Sequence, residues 1–139
     1  MANTGYQQMI FVNLPVRNLD VSKKFFSELG YSFNEQFSDE TTACLVISDT
    51  IFAMLLSEPR FAEFATKPVV DATKSTEVLV ALSAESREKV DELADRALAA
   101  GGSPAKEPMD FGHMYGRSFQ DPDGHHWEVM WMDPAAVQG

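Results

Sequence analysis

Apolar positions recur along this chain in two rhythms, and the changes from one to the other mark its elements. "MIFVNLPV" (9–16) has the composition of a strand, and "NLDVSKKFFSELG" (18–30) then shifts to a helical period. Leu19, Ser22, Phe25, Phe26 and Leu29 fall near one stripe of that helix, and Gly30 is placed to close it. Three short strands are expected next, near 31–37, 43–48 and 51–57, the last two parted by the turn signal "SDT".

The second half runs through the same order. "TEVLVALSA" (76–84) reads as a strand, and "ESREKVDELADRALAAGG" (85–102) as a helix ended by Gly101-Gly102. Val90, Leu93, Ala94, Ala97 and Leu98 form its i, i+3, i+4, i+7, i+8 stripe. Strands near 104–109, 114–120 and 125–132 follow. The aligned starts match at Val12/Val80 and Leu14/Leu82, so the repeat is one of pattern. The chain therefore reads as a single domain, 1–139, of two βαβββ modules, about 8–57 and about 76–133. The linker between them, "EPRFAEFATKPVVDATKS", is long for a compact domain and carries Phe61, Phe64, Val69 and Val70. Such loops serve as lids or packing segments, or only cross the surface.

Composition narrows the function classes. The chain has 139 residues, 45% of them hydrophobic, with 11 basic against 21 acidic side chains and a formal net charge of −10. That balance argues against nucleic acid, whose phosphates require a basic surface, and suits a neutral or cationic small partner. A single cysteine, Cys44 in "ACLVIS", excludes an intrachain disulfide and a thiolate cluster and reads as a small core residue, which points to a reducing, cytoplasmic setting. "MANTGYQQ" lacks the parts of a signal peptide, and no apolar run approaches membrane-spanning length.

Two motifs stand at opposite ends of the duplicated pattern. "LPVRNLDVSKKFF" places Val16, Asn18, Leu19, Ser22, Phe25 and Phe26 at the entry to the first helix, and "SFQDPDGHHWEVMW" places an aromatic residue and a glutamate just after a D-P-D-G turn. Together with the two modules, over essentially the whole chain, they resemble the vicinal oxygen chelate superfamily of glyoxalase I, bleomycin-resistance proteins and extradiol dioxygenases. The resemblance implies an α+β fold in which two βαβββ modules form an open, U-shaped mixed sheet of eight strands. Helices would cover its convex face and a ligand would sit in the concave one. Strand alternation then sends Val12, Leu14 and Val16 toward the first helix and Phe11, Asn13 and Pro15 toward the cleft. In the second module Val80, Leu82, Trp127, Val129 and Trp131 are expected under the helix. Glu77, Leu79, Ala81, Ser83, His126, Glu128 and Met130 are expected to look inward.

Metal-dependent members of the superfamily hold one divalent ion with a His or Glu from the first and fourth strand of each module. Counted onto this chain, those positions are Phe11, Met54, Leu79 and Glu128. Phenylalanine and leucine have no lone pair, and a thioether is a soft ligand suited to copper(I). One carboxylate does not make a site, so the superfamily's metal is expected to be absent. A metal would need a non-standard set reached by a two-residue slip, drawing on Asn13, Glu77 or His126.

The polar residues left for chemistry are few. Glu128, in a cleft walled by Phe11, Phe52, Met54, Leu79 and Met130, is the candidate acid/base, since desolvation raises a carboxylate's pKa. Alternatively Arg117 or Tyr115 satisfies it as a buried pair. His125 and His126 are adjacent and point to opposite faces of a strand, His126 toward the pocket and His125 exposed at the turn exit. His113, in a Gly-flanked loop, is a candidate ligand contact, as are Asn13, Tyr115 and Arg117. Asp121 and Asp123 belong to the turn, where Pro122 sets φ and Gly124 allows a positive one.

Three functions remain open at this level. A metal-free small-molecule binder of the bleomycin-resistance type needs only the cleft. A glyoxalase-like lyase or isomerase would use Glu128 as acid or base. A structural or regulatory partner domain would have a filled cleft. A dioxygenase fits least, because iron requires two histidines and a carboxylate. In the superfamily, modules pair within one chain or between two copies in a homodimer, and no residue here selects between these.

Overall fold

The structure, a computed structural model, describes residues 5–137; Met1–Thr4, the start of the N-terminal stretch discussed above, lie outside it. The chain divides at Val69–Val70 into two compact units, each a mixed sheet with helices. No helix among the described residues is long and apolar enough to cross a membrane.

In the first unit the elements run β1 (Ile10–Val16), α1 (Leu19–Glu28), β2 (Ser32–Asn34), β3 (Thr42–Val46), β4 (Ile51–Ser57) and α2 (Glu58–Phe64). The sheet order is β1-β4-β3-β2, with β1 parallel to β4 and the other pairs antiparallel. Asn18 caps α1 by accepting from the backbone N–H groups of Asp20 and Val21 at 3.0 and 3.2 Å, which satisfies donors the first turn would otherwise leave unpaired. At the other end Gly30 takes φ +104°, and Tyr31 N–H turns back to the Phe26 carbonyl at 3.1 Å. The expected stripe is the buried one: Ser22, Phe25, Phe26 and Leu29 are all enclosed, with Leu19 half-buried. They meet Leu14, Val16, Ala43, Leu45, Ala53 and Leu55, which the strand registers put on one face of the sheet. Cys44 is fully buried on the other face.

The linker departs from expectation. Its first third is helical, because Pro59 sits in the first turn, where its missing N–H costs nothing and its φ is already helical. The strand expected at 31–37 is cut to three residues, and Glu35–Phe37 form a turn of 3₁₀ helix capped by the Asn34 side chain.

The second unit runs β5 (Leu79–Ser83), α3 (Arg87–Ala99), β6 (Ser103–Pro104), β7 (Met109–Asp110), β8 (Met114–Gln120), β9 (His126–Met132) and α4 (Pro134–Val137). β5 lies parallel to β9, β9 and β8 are antiparallel, and β6 and β7 both pair with β8. The strand expected at 104–109 is thus two short pieces, since Pro104 and Pro108 offer no N–H to a ladder. Ser86 caps α3 through Lys89 N–H at 3.1 Å, and Gly101, φ +115°, ends its last turn. Val90, Ala94 and Val129 form the core under α3, packed by Ala84, Leu93, Tyr115 and Trp131.

The D-P-D-G turn is anchored from inside. Asp121, only 4% exposed, accepts from the backbone N–H of Asp123 and His125 at 2.9 and 3.0 Å and from the Trp127 indole at 3.0 Å. Gly124 has φ +89°, and a Cβ there would stand 3.0 Å from the Ala72 carbonyl oxygen, so glycine answers both a backbone and a space requirement. His125, expected to be exposed, is 8% exposed because its N–H is drawn back to Asp121.

Candidate functional site

Each sheet has a face turned away from its long helix, and those two faces carry the candidate chemistry. In the first unit this face bears Phe11, Asn13, Phe52, Met54 and Leu56. Phe11 and Phe52 are register partners, their rings stacked with centroids 5.0 Å apart. Asn13 lies beside Met54. Helix α2 packs against β1 and β4 here, and with them it borders an open depression of about 360 Å³ lined by Asn13, Leu56, Phe61, Phe64 and Ala65. Phe61 and Phe64 reach it together because residues three apart share a helix face. Arg60 lies 4.8 Å over the Phe64 ring and pairs with Glu63 at 2.7 Å. The two phenylalanines were readable as linker hydrophobics; their service as a wall depends on the helix.

In the second unit the corresponding face carries Leu79, Ala81, Ser118, His126, Glu128 and Met130. Glu128 and His126, two apart on β9, point the same way, and their Oε2 and Nε2 atoms lie 3.1 Å apart with only 17% and 13% of the side chains exposed. Around Glu128 a shallow hollow is lined by Lys106, Glu107, Met109, Gly116, Arg117, Ser118 and Met130. The cramped space follows from Gly116, over which Met130 lies: a Cβ there would be 3.3 Å from the Met130 Cγ. Nothing in the sequence marks Met109 or Ser118, and only the register β7-β8-β9 brings them to Glu128.

Tyr115 and Arg117 stand elsewhere than expected. They pair in register with Trp131 and Val129, so they belong to the face covered by α3. The Tyr115 hydroxyl donates to Asp91 at 2.6 Å, and Arg117 donates to Asp91 and Asp95 at 3.1 and 2.9 Å. The Tyr115 hydrogen bond, then Arg117, holds the Asp91 carboxyl below its ordinary range, while the same bond holds the Tyr115 hydroxyl above its own. Neither residue satisfies Glu128, whose partner is His126. The physical reason is strand parity: with Trp127 and Val129 under the helix, Phe119, Arg117 and Tyr115 must follow them.

His113 is exposed on a loop that is itself held in place. Arg87 grips Asp110 through two bonds of 2.9 Å, donates to the Gly112 carbonyl at 2.8 Å, and lies 5.1 and 5.2 Å from the rings of Tyr115 and Trp131. The Arg87 guanidinium, with the Gly112 N–H, holds the Asp110 carboxyl down to about 2. A depressed carboxylate contributes stability that is complete above its unfolded value of 3.8 and is lost as pH falls toward 2. In Arg87→Gln the Asp110 titration, followed by carboxyl ¹³C NMR, should move up toward 3.8; an unmoved midpoint would show that Arg87 does not set it.

The profile of the glyoxalase/bleomycin resistance protein/dioxygenase superfamily matches residues 8–129. The chain belongs to this superfamily. Solved structures agree in fold: the hypothetical protein SA1046 from S. aureus is 29% identical, with 91% of this chain and 95% of that one covered and a TM-score of 0.75. A glyoxalase-related enzyme from Fulvimarina pelagi is 21% identical over 91% of this chain and 88% of its own, with a TM-score of 0.75. The fosfomycin resistance protein FosX from Listeria monocytogenes is 16% identical over 96% and 99%, with a TM-score of 0.67. No curated protein matches the chain. Superfamily members commonly hold a divalent metal, and the donor set here does not fit one. At the four positions where ligands are expected, Phe11 offers a stacked ring, Leu79 an alkyl chain that is 57% exposed, Met54 a thioether, and Glu128 alone an oxygen. Among the described residues no three His, Cys, Asp or Glu side chains converge.

Proposed function

We propose that this superfamily member binds a small organic molecule on a sheet face turned away from its long helix, without the divalent ion of its metal-dependent relatives. The observation that supports this most is the depression beside α2. Its size of about 360 Å³, its two phenylalanines and its single polar side chain, Asn13, are what small-molecule sites have in common: apolar walls and few placed polar groups. The role is of the bleomycin-resistance type, carried out in the reducing cytoplasm that suits a buried lone cysteine, by a monomer or a homodimer. A thermal-shift screen of aromatic and cationic metabolites tests it. A ligand at about a hundred times its Kd should stabilise the protein by about 2.7 kcal/mol, a rise of several degrees in Tm. A flat response across a broad library would sink the proposal.

The His126–Glu128 pair favours a second reading, a lyase or isomerase of the glyoxalase type. A half-buried carboxylate 3.1 Å from an imidazole can take a proton from a carbon acid lying on the sheet face and return it to a neighbouring carbon, with His126 Nε2 placed to hold that proton in between. Turnover of the methylglyoxal hemithioacetal that disappears in Glu128→Gln would establish this activity; no turnover in the unaltered protein would dismiss it.

A further inference from the structure

Resting on the small-molecule reading, we infer that the depression beside α2 takes an uncharged, flat heteroaromatic ring whose edge carries a hydrogen-bond donor next to an acceptor, as in a lactam. The lining decides against ions first. Leu56, Phe61, Phe64 and Ala65 have no side-chain polar atom, and Asn13 is neutral. Arg60, which lies 4.8 Å over the Phe64 ring, is committed to Glu63 at 2.7 Å. An anion placed among these residues would meet no opposite charge and the negative faces of two rings, and a cation would have to share the Phe64 ring with the Arg60 guanidinium that already lies over it. A flat apolar ring loses little and gains the two phenylalanine walls.

Asn13 supplies the directional part. Its Nδ2 donates to the Phe11 carbonyl at 3.2 Å, which orients the carboxamide. The second N–H and the Oδ1 have no protein partner among the described residues. A primary amide with both functions open matches a neighbouring donor and acceptor on a ring edge, the same complementarity by which Asn reads an adenine edge. A ring with only an acceptor would leave half of this group unused, and a hydrocarbon would leave all of it unused.

Four probes of similar size separate the possibilities: isoquinolin-1(2H)-one as the neutral lactam, naphthalene without a polar edge, 2-naphthoate as the anion, and N-methylisoquinolinium as the cation. Titrated into ¹⁵N-labelled protein, the lactam should shift the Asn13 side-chain amide and bind more tightly than the other three. Asn13→Ala should weaken it about ten- to a hundredfold, the worth of the two hydrogen bonds it removes, and bring it level with naphthalene. Phe64→Ala should weaken lactam and naphthalene alike, by about three- to tenfold. Asn13 and Phe64 are solvent-exposed, so both variants should keep the parent spectrum elsewhere. If the naphthoate or the isoquinolinium binds more tightly than the lactam, or Asn13→Ala leaves lactam affinity unchanged, the ligand class is wrong while the binding function stands. If no probe binds but the metabolite screen yields a hit, the class is again wrong; silence in both overturns the class together with the function it rests on.

Discussion

Replacing Asp121 with alanine should lower the unfolding free energy by about 3–5 kcal/mol, the cost of leaving buried donors without their charged acceptor. The carboxylate is 4% exposed and serves two backbone N–H groups and the Trp127 indole at once. These bonds tie the D-P-D-G turn to the first residues of β9, the strand that presents His126 and Glu128. Burial pushes the Asp121 carboxyl above its ordinary range, against the pull of His125, the indole and the backbone donors. Asparagine should therefore be milder, about 1–2 kcal/mol, because it keeps one oxygen for the two N–H groups and sheds the desolvation of a charge. Urea denaturation of the two variants checks the ordering. A loss below about 1 kcal/mol in the alanine variant would mean that water replaces the carboxylate.

In the first unit, Phe25→Ala should cost about 3–5 kcal/mol, the usual range for emptying an aromatic site in a core. Phe25 is 1% exposed, and its ring meets Phe26 edge to face at 4.9 Å with the planes at 87°. Removing it opens a cavity beneath α1 and deletes one member of an aromatic pair. Val21→Ala on the same helix is the control: Val21 is 48% exposed, and alanine has the better helix propensity, so its effect should stay within about 0.5 kcal/mol. Equal losses in the two variants, measured by chemical denaturation, would place the core elsewhere.

Much of the fold was legible in sequence because its signals are local. Asn18 and Gly30 bracket α1, Ser86 and Gly101 bracket α3, and each works through atoms a few residues away. The errors have equally definite causes. Pro59 lies in a stretch that reads as a loop, although the first turn of a helix is where proline is welcome. Taken alone, the strand leaves the facing of Tyr115 and Arg117 open; its antiparallel register with β9 ties them to Trp131 and Val129 and so to the helix side. His125 reads as exposed because nothing in "GHHW" shows that Asp121 folds back beneath it.

By itself the sequence determined the repeated order of strands and long helices but not α2 or α4, the stripes that α1 and α3 bury except for Leu98, the superfamily, and the mismatch between Phe11, Met54 and Leu79 and a metal's need for oxygen or nitrogen donors. Those follow from residue chemistry and short-range periodicity, which travel with the chain wherever it folds. Only the tertiary structure decided which polar groups share a site. It brought Asn13 together with Phe61 and Phe64, paired His126 with Glu128, and gave Arg117 to Asp91 and Asp95. Except for His126 and Glu128, two apart on one strand, these partners are tens of residues apart in sequence. They meet through sheet register and helix packing, where a shift of one residue would turn every side chain of a strand to the opposite face.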